Sequence, residues 1–260
     1  MIAGIFHKGS GIGNQLHRYL ATRVLALRKG YDFSMVAPDL CKVKDFMDLD
    51  MGIKIDVPYS TEMPSGKVTP GFGSDPLSTW EEKTNYYNPE FNFIEDNTII
   101  DGEFQDERYW SACRNELDEW FKVEPAYVPD DVCVIGFRGG EFYMFPELGL
   151  PIEYFEKAIE EMKKINQNMK FEVHTDDPEL AKKFFPDYKI IHNAGVNWRT
   201  VRYARYSIIS NSSFYILPRW LKHNTGGDAY TIAPRFWARH NTGEWSMPQN
   251  YYPLFHYIHA

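Results

Sequence analysis

Four short runs hold the residue types that can grip a phosphorylated ligand: Gly9-Ser10-Gly11-Ile12-Gly13-Asn14-Gln15, Arg138-Gly139-Gly140-Glu141, Thr175-Asp176-Asp177 and Asn211-Ser212-Ser213. An arginine fork pairs with phosphate oxygens, and neighbouring glycines leave room for them. An aspartate can accept the N–H donors of guanine, and two serines at a helix start offer hydroxyls and backbone N–H groups to phosphate. In the first run, glycines let the backbone approach a ligand just where a helix opens, so that its unpaired N–H groups face an anion. The set suits a nucleoside diphosphate. Each member also has a plain structural use: Asp176, Asp177 and Ser212 are good helix caps, and Arg138 can pair with Glu141.

These residues need strands and helices to present them. Ile2-Ala3-Gly4-Ile5-Phe6 reads as a strand ahead of the glycine turn, and Leu16, Tyr19, Leu20, Val24 and Leu27 repeat at helical spacing up to a stop at Gly30. A strand over Tyr31 to Val36 completes a β-α-β start. A short helix over Lys42 to Leu49 and a strand at Ile53 to Val57 are expected next. Prolines and glycines from Pro58 to Pro89 exclude long elements and predict an ordered excursion. Ile99 to Gln105 reads as a strand with its exit and Asp106 to Phe121 as a helix with Tyr109, Trp110, Cys113, Leu117 and Trp120 inward; Pro125 to Pro129 then reads as a linker.

From Val132 the pattern becomes regular. Strands are expected at Val132 to Phe137, Phe171 to His174, Lys189 to His192 and Ser207 to Ser210, separated by helical stretches that start at Pro151 and Pro178 among others. Alternating β and α units predict a parallel sheet, in which ligands collect at the carboxyl ends of the strands. Three of the four runs fall at such ends.

A net charge of −8 argues against a nucleic-acid partner bound through a general basic surface. Cys41, Cys113 and Cys133 are odd in number and lack metal-ligand spacing, which predicts free buried thiols in a reducing compartment. No basic leader or long apolar span is present, and the expectation is a soluble, cytoplasmic protein.

Six segments, in order, resemble the α-1,2-fucosyltransferases and the wider GDP-fucose-dependent superfamily. Gly11-Ile-Gly-Asn-Gln15 is similar to their G-x-G-N-Q opening, Gly102 to Trp110 to their G-Y-F-Q-S-x-x-Y-F segment, and Val134 to Glu141 to their H-x-R-x-x-D motif. His174-Thr-Asp-Asp-Pro178 resembles an S-D-D segment, Ile208 to Phe214 an I-x-x-N-S-S-F-S segment, and Ile232 to Trp237 an A-P-x-x-W close. The resemblance implies an α/β chain of GT-B type, two Rossmann-like domains facing a cleft, with the parallel sheet in the second. On that basis residues 1–125 form an acceptor-side domain, 126–234 the GDP-sugar-binding domain, and 235–260 a tail packing back across the domains.

The same resemblance implies inverting transfer from a GDP-sugar, fucose by family default, to a glycan acceptor, with no cofactor or metal. Arg138 would hold the diphosphate. Asp176 or Asp177 would read guanine, with His174 in the same segment. Asn211, Ser212 and Ser213 would line the phosphates, and Gly11, Gly13, Asn14 and Gln15 would close the cleft from the first domain. Arg138 and Glu141 are the catalytic candidates, although Glu141 serves equally as a brace for the arginine; Glu147 and His7 are further base candidates. Peripheral association with membrane glycan assembly is the expected setting. Departures stand out: Gly136 replaces the motif histidine, Gly139 the second arginine and Glu141 the aspartate, which opens the donor sugar to alternatives such as GDP-mannose.

Three rival readings remain. Asp48-Leu49-Asp50 could serve a metal-dependent transferase, but it closes an amphipathic stretch on its charged side. A dinucleotide oxidoreductase would use the glycine turn and Asp32, yet the Gly9-x-Gly11-x-Gly13 spacing is not G-x-G-x-x-G. A non-catalytic GDP-sugar or glycan-binding relic would account for the missing histidine and arginine.

Overall fold

The apolar run after Met1 forms β1 (Ile2–Ile5), and the periodic stretch beyond the glycine turn forms α1 (Ile12–Lys29). Gly30 ends that helix in the left-handed region, at φ 69°, with its N–H turned back to the carbonyls of Ala26 and Leu27. The computed structural model describes residues 1–55, 78–82, 87–145, 147–239, 245–246 and 251–259. The chain divides into two compact units, Met1–Lys122 and Val123–Ala260.

In the first unit β1 is joined by β2 (Phe33–Val36), β3 (Ser78–Glu81) and β4 (Thr98–Asp101), all parallel, in the order β2-β1-β4-β3. Ala3, Ile5, Val36 and Ile99 form a core cluster in this sheet.

Several expectations for this unit are corrected. Residues 42–49 make one turn, with the Phe46 and Met47 N–H groups both on Val43 O, and no helix. Cys41, Val43, Met47 and Leu49 are buried in a largely alternating pattern, which suits extended chain better than a helix. Of the strand expected at 53–57, residues 53–55 are irregular and 56–57 lie outside the described residues; Gly52 makes only an isolated bridge to Ser34. The excursion expected at 58–89 is described only in part, and β3 lies within it, because four residues suffice to pair with β4.

The helix expected from Asp106 breaks into 3₁₀ turns at Glu107–Tyr109 and Ser111–Cys113 before a single α-turn, α2 (Leu117–Trp120). Tyr109, Trp110, Cys113 and Leu117 are nevertheless buried. Trp110, at φ −135°, interrupts the helix, and its indole N–H donates to Phe104 O at 3.1 Å. A buried tertiary anchor overrides the local periodicity.

The second unit follows its pattern closely. Six buried residues in succession make β5 (Val132–Phe137), the signature of a strand covered on both faces. Then come α3 (Ile152–Ile165), β6 (Lys170–Thr175), α4 (Pro178–Phe184), β7 (Lys189–Ile191), α5 (Ala194–Tyr203), β8 (Tyr206–Ile209), α6 (Ser213–Asn224) and β9 (Tyr230–Pro234). Two-residue strands β10 (Ala238–Arg239) and β11 (Trp245–Ser246) pair antiparallel. From the expected tail, β12 (His256–Ile258) joins the sheet beside β9.

The sheet order is β12-β9-β8-β5-β6-β7, every pairing parallel. Counted from β5, that is 3-2-1-4-5-6, the doubly wound order. Tyr154, Phe155, Ala158 and Met162 of α3 pack with Cys133, Ile135 and Phe137 in one core cluster. Both units are α/β with parallel sheets. The three cysteines are free and buried, and no described helix is long and apolar enough to cross a membrane.

Candidate functional site

In the second unit the chain leaves β5 for β6 on one side and reaches β8 on the other, so the strand order reverses between β5 and β8. A crevice opens at the carboxyl ends of two such strands, because their connections leave in opposite directions. Arg138 follows β5 at that point and Ser210 follows β8. The Arg138 N–H donates to Ser210 Oγ at 3.0 Å, joining the two strand ends directly.

The Arg138 guanidinium lies at the surface of this edge with a quarter of its side chain exposed. Nη2 donates to Glu141 Oε1 at 2.8 Å, Nη1 donates to Asp176 Oδ2, and the Phe142 ring lies beneath at 5.0 Å. Asp176 also accepts from Gly139 N at 2.8 Å and Asp177 from Gly140 N at 3.0 Å. The other oxygen of Asp177 caps α4 through Leu180 N at 3.0 Å. The loop after β5 is thus laced to the loop after β6 by carboxylates, and the structural uses foreseen for Asp177 and for the Arg138–Glu141 pair are realised.

Two of the positions that depart from the resembled motif are sterically closed. A Cβ on Gly136 would sit 2.7 Å from the Tyr215 ring, and one on Gly139 would sit 2.5 Å from Asp177 Cβ. Neither position admits a side chain without moving its neighbour. Tyr215, buried on α6, donates its hydroxyl proton to His174 O at 2.7 Å and so ties β6 to the helix.

Other expected ligand residues face inward. His174 is fully buried, with Nδ1 3.0 Å from Asn197 Oδ1, and burial pushes its pKa down to about 4, so the ring is neutral. Asn211 is buried and donates to Leu148 O at 2.8 Å and Trp237 O at 2.6 Å. Ser212 is the N-cap residue of α6 but its hydroxyl makes no capping bond, and no acidic residue occupies the first turn. Ser213 keeps part of its surface open to solvent. The start of α6, three residues past the Ser210 partner of Arg138, therefore presents a positive dipole end.

The chain is similar to known glycosyltransferases. Over 174 residues it is 26% identical to the O-antigen biosynthesis glycosyltransferase WbnK of Escherichia coli, the match covering 58% of this chain and 55% of that protein. The chain thus spans about half the length of the curated relative it matches. No protein-family model matches. Among solved structures it is similar to NodZ alpha-1,6-fucosyltransferase soaked with GDP-fucose, with a TM-score of 0.48 and 12% identity over 84% of this chain and 92% of that one. It is also similar to a glycosyl transferase family 9 protein from Veillonella parvula, with a TM-score of 0.43 and 10% identity over 99% and 86% of the two chains.

In the first unit, Gly11 is the N-cap of α1, with no side-chain cap bond and no acidic residue in the first turn, and beyond its chain neighbours and its own helix nothing lies within 4 Å of a Cβ built on Gly11. Gly11 is exposed at that helix start. Gly13 is buried inside its first turn. Asn14 Oδ1 accepts from Gln105 Nε2 at 3.0 Å, linking the first and second motif segments. Gln15 is buried: its amide donates to Leu40 O at 2.8 Å and accepts from Lys42 N at 2.9 Å. Both ends of that amide hold the protein's own backbone.

Asp50 accepts from Gly52 N at 2.9 Å in its own turn. Among the described residues no group of three or more histidine, cysteine, aspartate or glutamate side chains is placed to hold a metal ion. Ser210 and Tyr215 escaped the sequence reading: Ser210, expected as the last residue of its strand, stands just past it, and nothing in the local pattern marked Tyr215.

Proposed function

We propose that this chain is a glycosyltransferase that moves a sugar from a nucleoside-diphosphate donor to a glycan hydroxyl, with inversion and without a metal. The observation that carries the reading is Arg138 at the β5–β8 reversal, joined there to Ser210, three residues ahead of the α6 start, which has no acidic residue in its first turn. A departing diphosphate there meets a guanidinium and a helix dipole, the two fixed charges that suit a developing phosphate anion. Glu141 acts by bracing Arg138, as their 2.8 Å bond suggests. GDP is the proposed nucleotide and fucose the default sugar, on the motif resemblance, with GDP-mannose the alternative donor; residues 1–125 and 126–234 are the proposed acceptor-side and donor-side domains. Similarity to an O-antigen biosynthesis glycosyltransferase supports a polysaccharide acceptor; peripheral contact with membrane glycan assembly is proposed on the motif resemblance alone.

A second reading, a non-catalytic GDP-sugar or glycan-binding relic, is favoured by the two carboxylates already on Arg138, since they compete with phosphate. Turnover separates the two. Thermal shift with GDP, UDP, ADP and NADH, followed by GDP release from GDP-fucose and GDP-mannose against an acceptor panel, should show GDP-selective stabilisation and acceptor-dependent release that persists in chelator. Arg138→Ala should lower release by about 100-fold or more and weaken GDP binding. GDP binding without release from any donor would establish the relic, and unchanged kinetics in Arg138→Ala would remove that residue from the site.

A further inference from the structure

Arg138 is the cation on which the proposed phosphate contacts depend, and the chain already supplies it with anions. Its Nη1 donates to Asp176 Oδ2 and its Nη2 to Glu141 Oε1 at 2.8 Å. The two carboxylates are not equivalent. Glu141 belongs to the same loop as the arginine and is 66% exposed. Asp176 comes from the end of another strand, one residue past β6, and its oxygens divide between two donors: Oδ2 accepts from the guanidinium and Oδ1 from Gly139 N at 2.8 Å. A guanidinium with a neighbouring backbone N–H is also the donor pair that two oxygens of a phosphate take. Gly140 stands at φ 52°, and a Cβ there would come within 3.2 Å of Asp176 Oδ2, so the loop is shaped closely around that oxygen.

Asp177 has a different task. Its Oδ2 accepts from Gly140 N and its Oδ1 from Leu180 N, both at 3.0 Å, so it fastens the loop and caps α4 at once. Asp176 can therefore let go of the arginine while α4 keeps its cap. A quarter of the Arg138 side chain and a third of Asp176 face solvent, so an incoming anion reaches the pair directly. Three carboxylates meet one guanidinium in this loop, and a further anion binds there by displacing or outweighing one of them.

We propose that Asp176 is an internal substitute for phosphate: in the free protein it occupies the Arg138 guanidinium, and a diphosphate ligand binds by taking its place. The inference rests on the donor reading above, and it gives Asp176 a role opposite to that of a guanine reader. A residue that reads the base raises nucleotide affinity, whereas an internal anion lowers it. An exposed ion pair favours its own closure by a factor of up to about five, and by that factor Asp176 weakens the ligand.

Isothermal titration calorimetry on the full chain tests this with GDP, inorganic pyrophosphate and guanosine. Asp176→Asn keeps an oxygen for Gly139 N and loses the charge; it should tighten GDP and pyrophosphate about fivefold, and the gain should shrink at high ionic strength. Asp176→Ser, a second uncharged variant, should show the same gain. Guanosine carries no phosphate and should bind all three proteins equally. Glu179→Gln removes an exposed charge from the first turn of α4 and should change GDP affinity by less than about twofold, which separates the Arg138 contact from net charge. Unchanged or weaker GDP and pyrophosphate binding in both Asp176 variants overturns the proposal, as does guanosine binding lost together with GDP. If the wild-type chain binds no GDP, the donor reading fails separately. Pyrophosphate then decides alone: tighter binding in Asp176→Asn supports the internal anion, and equal or absent binding overturns it.

Discussion

At the scale of single residues, the site is governed by what cannot fit. Gly136 carries no side chain because Tyr215 occupies the space, and Gly139 carries none because Asp177 does. Gly136→Ala should therefore cost about 1–3 kcal/mol in chemical denaturation, the usual penalty for overpacking. Gly136→His should be worse, and pairing it with Tyr215→Ser should recover part of the loss. Strict additivity in that cycle would show that the two positions are uncoupled. From the sequence, Gly136 was legible only as a missing histidine. The ring that excludes it comes from a helix more than seventy residues later, and no local pattern records such a meeting.

At the scale of elements, strands and helices of the second unit were readable because each has one strong period and an evident terminator. Pro151 opens the run to α3, Asp177 caps α4, and β5 is uniformly apolar. In the first unit the same reasoning failed over 42–49 and 106–121, where burial is set by anchors such as Trp110 rather than by helical spacing. Gln15 shows how an element can claim a motif residue. Its amide fastens α1 to the backbone at Leu40 and Lys42, so Gln15→Leu should cost about 1–3 kcal/mol in stability, leaving those backbone groups unpaired, while GDP affinity holds. A fall in GDP affinity without loss of stability would return Gln15 to the ligand.

At the scale of the whole molecule, the buried histidines set the acid limit. Burial pushes His17 and His174 down to about 4, and does the same to the less deeply buried His223, from an ordinary value of 6.5. The unfolded chain binds these protons first, so stability present above pH 6.5 should be lost as pH falls towards 4 and should level off below it. The loss is on the order of 3 kcal/mol each for His17 and His174, an upper figure for rigid burial. Thermal melts between pH 7 and 4 should show the fall, and a flat Tm across that window would refute it. By itself the sequence determined the α/β alternation, the parallel second sheet, the free cysteines and the placement of Arg138, Asp176 and Ser213 near strand ends, because period and capping are local properties. Only the tertiary structure decided the strand order, and with it the reversal where a crevice opens. It also decided which polar residues turn inward, as His174, Asn211 and Gln15 do, and which ones meet, as His7 and Asp101 do across 94 residues of chain. Pairing between distant strands is a property of the whole fold, and no stretch of sequence contains it.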